Sequence, residues 1–159
     1  MKLKRIAALL GAFTIASSLF IAGCGNTKTS NNDKVWRVGT DATYAPFGFK
    51  DKDTGKLDGF DIDIINAIAK EEGIEADIQN LNFDALLPAL QSNTIDIAIS
   101  DMTISEDRAK SVDFSNPYYI AGNGLVVNVD NTTIHSFKDL EGKRIGVSIG
   151  STGAEIASK

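Results

Sequence analysis

From Val35 almost to Lys159, short apolar runs alternate with segments whose apolar residues recur at helical spacing. That alternation restricts the fold more than any other feature. Val35 to Thr40 is strand-like. Phe60 to Glu72 places Phe60, Ile64, Ile65, Ile68 and Ala69 at helical spacing, and Gly73 supplies a C-terminal stop. Ile74 to Ile78 alternates like a strand. Phe83 to Leu90 carries Leu86, Leu87 and Leu90 on one helical face, with Pro88 expected near its start or at a kink. Ile95 to Ile99 reads as a buried strand, and Leu125 to Val129 and Arg144 to Ile149 as two more. Ser136 to Leu140 reads as one capped helical turn, and Ser151 to Ser158 as a further helix. Strands separated by helices imply parallel βαβ units and an α/β fold class.

Charge narrows the partners. The chain of 159 residues has a formal charge of −5. Lys2, Lys4 and Arg5 sit in the first five residues, so the remainder carries 13 basic against 21 acidic groups, a net −8. Phosphate binding needs a cationic face, so nucleic acid is excluded as a partner. One Cys and one His exclude a disulfide framework and argue against a Cys/His metal site. No metal or cofactor is expected.

The N-terminus reads as an address. Met1 to Arg5 is basic, and Ile6 to Ala22 is mostly apolar but softened by Gly11, Thr14, Ser17 and Ser18. A spanning helix needs about 20 apolar residues. This run is slightly short and ends in small residues, as secretory signal peptides do. It closes on Ile21-Ala22-Gly23-Cys24, which resembles the lipobox of bacterial lipoproteins. Residues 1–23 are therefore expected to be a cleaved leader and Cys24 the lipidated first residue of the mature chain. The alternative is an uncleaved anchor with an incidental Cys. Residues 24–34 are polar after the Cys and read as a flexible tether.

In open α/β sheets, ligands bind beyond the carboxyl ends of strands. Three stretches qualify. Asp41 to Phe49 offers a carboxylate and aromatic faces around Pro46, suited to an amine and to flat or aliphatic groups. Alone, it reads as a turn with a helix-capping Asp. Ser100 to Arg108 offers the Thr103 hydroxyl and N–H and the planar fork of Arg108, which grips carboxylates. Alone, it reads equally well as Ser105 capping a short helix with Arg108 paired to Glu106 or Asp113 on the surface. Gly150-Ser151-Thr152-Gly153 resembles an anion nest before a helix, yet lacks a phosphate-loop lysine and the full GxGxxG pattern. Alone, it reads as a plain cap. Catalytic patterns are poor: His135 reads as a solvated loop residue, no GxSxG or HExxH occurs, and Asp61 with Asp63 reads as an acidic first helical turn.

Taken in order, the segments resemble the family 3 extracellular solute-binding proteins, receptors of ABC importers for polar amino acids. They are Gly39 to Phe47, Gly59 to Asp63, Phe83 to Leu90, Ile95 to Ala98, Met102 to Arg108, Val112 to Ser115, Pro117 to Tyr119, Gly142 to Val147 and Gly150 to Gly153. Each piece is short; the ordered set is specific.

The resemblance implies a periplasmic-binding-protein-like fold of two α/β lobes closing over one amino acid. Residues 35–122 would form lobe 1, and residues 123–159 the hinge strand and only the start of lobe 2. Carried over by position, Asp41 would reach the ligand side chain, and Tyr44 and Phe83 would sandwich its flat or aliphatic part. Ser100 and Asp101 would offer acceptors to the α-ammonium. Thr103, Arg108 and Thr152 would hold the α-carboxylate, and Ser148 and Gly153 would line the side-chain pocket. Asp101 stands where Gly or Ser is common in the family, which favours a cationic ligand. Gly59 to Asp63 would be structural, seating the first helix. Family members normally continue for roughly another lobe's length, so an unpaired sheet edge, exposed apolar surface, low stability and weak binding are expected of this chain.

The function implied is a monomeric, lipid-anchored receptor on the extracytoplasmic face of the cell membrane, delivering a polar, and by Asp41 and Asp101 a basic, amino acid to ABC importer membrane subunits. Two alternatives stay open: a dehydratase-like enzyme on the same fold, for which Asp41 and Asp101 are the candidate acid–base groups, and the ligand-sensing domain of a signalling protein.

Overall fold

The computed structural model describes residues 35–159. The leader, Cys24 and the tether lie outside the described residues.

Strand β1 (Val35–Thr40) lies at the centre of a three-stranded parallel sheet, between β5 (Glu75–Asn80) and β6 (Ile97–Ala98). It is followed by three short strands, β2 (Thr43–Tyr44), β3 (Gly48–Lys50) and β4 (Leu57–Asp58), which form an antiparallel sheet of their own. Helix α1 (Phe60–Glu72) has the predicted bounds. Gly73 ends it in the left-handed conformation, φ 65°, the geometry for which glycine has no steric penalty. Ile62, Ile65 and Ala69 recur at i, i+3 and i+7 and form its buried face.

Strand β5 (Glu75–Asn80) pairs along the whole of β1, from Val35 opposite Glu75 to Thr40 opposite Asn80. Helix α2 (Phe83–Gln91) carries Pro88 as its sixth residue, not near its start. Pro88 has no N–H, so the Asp84 carbonyl lacks its helical donor. Strand β6 (Ile97–Ala98) is shorter than the predicted run. Only two residues pair in register, Ile97 with Val38 and Ala98 with Gly39. The flanking bonds from Asp96 N–H to Arg37 (2.8 Å) and Ile99 N–H to Gly39 (3.0 Å) continue its line.

The remaining helices are α3 (Glu106–Ala109), a 3-10 turn (Phe137–Leu140) and α4 (Thr152–Ala157). The N-caps of α3 and α4, Ser105 and Ser151, each accept a backbone N–H through the side chain, and at the 3-10 turn the Asp139 carboxylate accepts the N–H of Ser136 at 2.9 Å. The predicted strands Leu125–Val129 and Arg144–Ile149 are corrected: among the described residues neither pairs with another segment. An extended run becomes a strand only when a neighbour takes up its N–H and C=O groups. Val126 and Val129 are instead 94% and 95% exposed.

The core follows from this order. Val38, Ile65 and Ile99 pack together, with Trp36, Ile64, Ala76, Ile78 and Ile97 around them. Leu86 and Ile95 are buried as well and approach β1 at Gly39, where a Cβ would stand 2.6 Å from Ile95 Cδ1 and 2.9 Å from Leu86 Cδ2. The chain crosses from β1 to β5 and then back past β1 to β6. Strand order therefore reverses between β1 and β6, and right-handed crossovers place α1 and α2 on opposite faces. A crevice opens at such a switch point, beyond the carboxyl ends of the two strands.

Candidate functional site

Asp41 follows β1 and Ser100 follows β6, one on each side of the switch point. The Asp41 N–H donates to Ser100 Oγ at 3.0 Å and ties the two strand ends together. The Ala42 N–H donates to Asn80 Oδ1 at 2.9 Å, which fastens the same loop to the end of β5. The Asp41 carboxylate accepts the N–H of Phe83 at 2.9 Å. Asn82, the residue before α2, makes no side-chain cap bond, so Asp41 caps that helix from 42 positions away. The cap also fixes the Phe83 ring beside the switch point.

Arg108 is 5% exposed. Ser105 Oγ accepts its N–H at 3.3 Å, which is the capping read from the sequence. The guanidinium, however, is not on the surface and pairs with neither Glu106 nor Asp113. Its Nη1 donates to the Thr103 carbonyl at 2.7 Å and its Nη2 to the Gly150 carbonyl at 2.8 Å. Its Cζ lies 5.6 Å from the centre of the Phe83 ring. Guanidinium has five N–H donors, so three remain for a further acceptor.

These groups face one cavity of about 580 Å³. Asp41, Tyr44, Phe83, Ser100, Asp101, Thr103, Arg108, Ser148, Thr152 and Gly153 all line it. Every residue singled out in the sequence for ligand contact thus reaches the same space. Tyr44 is 60% exposed and stands at the open side. The Gly150 to Gly153 loop is both cap and wall, since Ser151 Oγ accepts the Ala154 N–H at 3.2 Å while Thr152 and Gly153 face the cavity.

Two polar lining residues escaped the sequence reading, Asn123 and Glu155. Neither belongs to a loop that follows a predicted strand at the switch point. Glu155 carried a signal only in retrospect: it lies one helical turn after Thr152. With Asp41 and Asp101 it makes three carboxylates around a single guanidinium. Burial, and then the charge of Asp61, push the Asp101 carboxyl above its usual range.

Asp61 also departs from expectation. Read with Asp63 as an acidic first helical turn, it is fully buried, whereas Asp63 is exposed. Its two oxygens accept the N–H of Asp101 at 2.9 Å and the hydroxyl of Tyr118 at 2.8 Å. Burial raises its carboxyl, and these two bonds hold it partly back. The seating role of Gly59 to Asp63 is visible in the backbone: the N–H groups of Phe60 and Asp61 bond to the carbonyls of Pro46 and Phe47 at 3.0 and 2.9 Å.

A second cavity, about 570 Å³, lies against β6 and is lined mainly by apolar residues between Ile97 and Ile104 and between Val112 and Ala121. It lacks Arg108, Asp41 and Phe83. It therefore offers no cation for a carboxylate, and the first cavity is the candidate site.

A switch-point crevice with a buried Arg, flanking aromatics and a capped loop opposite defines a small-solute binding class. The chain belongs to the bacterial extracellular solute-binding proteins, family 3, matching that family over residues 36–154. It is 44% identical over 154 residues to a probable histidine-binding protein of Campylobacter jejuni, covering 92% of this chain and 58% of that one. It is 38% identical over 153 residues to an arginine-binding extracellular protein of Bacillus subtilis, covering 96% of this chain and 59% of the relative. Among solved structures, an ancestral arginine-binding protein bound to arginine is 51% identical with a TM-score of 0.76, over 78% of this chain and 54% of that one. The chain therefore spans a little under three fifths of the length of the two curated relatives.

Proposed function

We propose that this protein is an extracytoplasmic receptor that binds a basic amino acid and delivers it to an ABC importer, held at the membrane by a lipid on Cys24. The observation that carries the reading is the make-up of the cavity: Arg108 on one side, and Asp41, Asp101 and Glu155 among the other lining groups. A zwitterion with a cationic side chain matches that distribution. Its α-carboxylate takes the free donors of Arg108, with the Thr103 and Thr152 hydroxyls beside it. Its α-ammonium meets Ser100 and Asp101. Its side chain runs between Tyr44 and Phe83 toward Asp41, with Ser148 and Gly153 along the pocket. A glutamate ligand would set its side-chain carboxylate against Asp41.

Binding then closes the site by bridging its two sides, with Thr103 and Arg108 on one and Thr152 and Gly153 on the other. The names of the relatives, histidine- and arginine-binding, support a binding protein in preference to an enzyme. The family's extracellular location agrees with the Ile21 to Cys24 lipobox.

Thermal stabilisation of the full chain by each of the twenty amino acids tests the reading. A ligand at 100 times its Kd adds about 2.7 kcal/mol, an easily visible shift in Tm. Stabilisation by arginine, lysine or histidine, abolished in Arg108→Ala, is expected. A folded chain that none of the twenty stabilises would sink the assignment.

A further inference from the structure

The stretch Ser100 to Thr103 is a partition. Ser100, Asp101 and Thr103 line the candidate site and also the second, largely apolar cavity behind it. A wall with open space on both faces is not held by packing. At its centre Asp101 has φ 45°, in the left-handed region that side-chain-bearing residues adopt uncommonly, Asp and Asn more readily than most.

What holds it is polar. The Asp101 N–H donates to Asp61 Oδ2 at 2.9 Å and approaches the Tyr118 hydroxyl oxygen at 3.1 Å. The Tyr118 hydroxyl in turn donates to Asp61 Oδ1 at 2.8 Å. Asp61 is anchored in the first turn of α1 and lines neither cavity. Tyr118 lines only the rear one. Both oxygens of a fully buried carboxylate are thus spent on one backbone turn and one phenol. A buried carboxylate that loses a partner is costly, so the arrangement has one strongly preferred geometry.

We propose that Asp61 and Tyr118 are positioning residues for the amino-acid site: together they fix the partition at Asp101 in the shape that receives the ligand, without touching it. This rests on the amino-acid reading given above. The pair joins three segments distant in sequence: the start of α1, the turn after β6, and the Tyr118 stretch that runs on to Ala121, Gly122 and Asn123 at the far wall of the site. The Tyr118 hydroxyl thus meets one wall directly, and its own segment leads to the other.

Tyr118→Phe removes the hydroxyl and keeps the ring against Phe60, 6.1 Å away. Asp61→Asn is the conservative partner: it keeps an acceptor for Asp101 N–H and turns an NH2 toward the phenol oxygen. Amide hydrogen exchange of Asp101, exchange of Val38 in the core, and arginine affinity by calorimetry are measured on the full chain. In Tyr118→Phe, Asp101 exchange rises about tenfold or more while Val38 exchange stays within about twofold. Arginine binding weakens by about fivefold or more, and Asp61→Asn falls between wild type and Tyr118→Phe.

Unchanged Asp101 exchange overturns the proposal. So does faster Asp101 exchange with unchanged affinity, and so does equal acceleration at Val38, which would assign the pair to general stability. If either variant fails to fold, the other supplies the same three readouts. A wild-type chain that binds no amino acid overturns the functional reading separately. In that case Asp101 exchange against Val38 exchange alone decides whether the pair holds the partition.

Discussion

Arg108 is bonded through Nη2 to the carbonyl of Gly150, 42 residues further along the chain, while its Nη1 holds the carbonyl of Thr103 in its own loop. One buried guanidinium therefore joins the turn after β6 to the loop before α4, and the cavity lies between them.

Lysine cannot reproduce that bridge, because its ammonium is a point charge without a planar fork. Arg108→Lys should lose most of the affinity for arginine. Loss of the two charge-assisted hydrogen bonds proposed from its remaining donors to the ligand carboxylate, at about 1.5 kcal/mol each, corresponds to roughly 100-fold or more in Kd. Calorimetric titration checks this, with the thermal melt of the unliganded variant as control. Affinity within about threefold of wild type would remove Arg108 from the carboxylate role.

Asp41 caps α2, and its proposed contact with the ligand side chain is separable from that cap. Asp41→Ala removes the cap of α2 and should destabilise the chain by about 1 kcal/mol. Asp41→Asn keeps an acceptor for the Phe83 N–H, so its melt should stay near wild type. It should nonetheless weaken arginine more than glutamine, because only the charge is gone. Competition between the two ligands on one sample reads this out. Equal weakening of both would confine Asp41 to the cap.

Asp96 pairs with Arg37, which donates from Nε at 2.9 Å and also from Nη2 to the other oxygen. These bonds hold the Asp96 carboxyl down to about 2, against its ordinary 3.8. A depressed carboxyl contributes stability that is full above the ordinary value and is lost as pH falls through the folded one. The contribution of this pair should therefore fade between about pH 4 and pH 2. Asp61 works in the opposite sense: burial raises its carboxyl, so its contribution is present at acid pH and lost as pH rises. Melts of wild type and Asp96→Asn across pH 2 to 7 check the first effect, the variant showing the shallower acid limb.

Gly59 stands at φ 123°, and a Cβ there would lie 2.3 Å from the Phe47 carbonyl oxygen. The three nearest atoms are all backbone, so no side chain can swing aside. Gly59→Ala should cost about 2 kcal/mol or more and loosen the seat of α1. Chemical denaturation gives the number. The same substitution at Gly55, with nothing within 4 Å but φ 69°, carries only the backbone strain.

Ile120, Val126, Val129 and Ile149 expose most of their apolar surface, from 75% to 95%. Exposed apolar patches drive association. Val126→Thr with Val129→Lys should raise the concentration at which the chain self-associates and leave Tm within about 2 °C, since neither side chain is buried. Light scattering against concentration measures the first and a thermal melt the second.

How much was legible depended on range. The bounds of α1, its Gly73 stop and the caps at Ser105, Ser136 and Ser151 follow from interactions within four residues, and periodicity or a single serine reveals them. The loops after β1 and β6 were legible because a parallel sheet gathers its strand ends, so Asp41 and Ser100 were bound to approach one another, whereas Gly150 to Gly153 follows a run that pairs with no neighbour and is not placed by the sheet. The small antiparallel sheet of β2, β3 and β4 was not foreseen, because its strands are two or three residues long and too short to show a period. Leu125 to Val129 and Arg144 to Ile149 have strand composition, but pairing belongs to two segments and cannot be read from one.

Local structure, and the chemistry available at the switch point, follow from the order of residues alone: an Arg, aromatics, hydroxyls and carboxylates gathered in a few loops. How that chemistry is set depends on the folded chain. It made Asp61 a fully buried acceptor for Asp101 and Tyr118, and it aimed Arg108 at Gly150 rather than at a neighbouring acid. It also brought Asn123 and Glu155 to the cavity wall. The physical reason is the same in each case. A carboxylate or guanidinium can be satisfied by water or by any of several partners, and which one it takes depends on burial that arises when segments 40 or more residues apart come together.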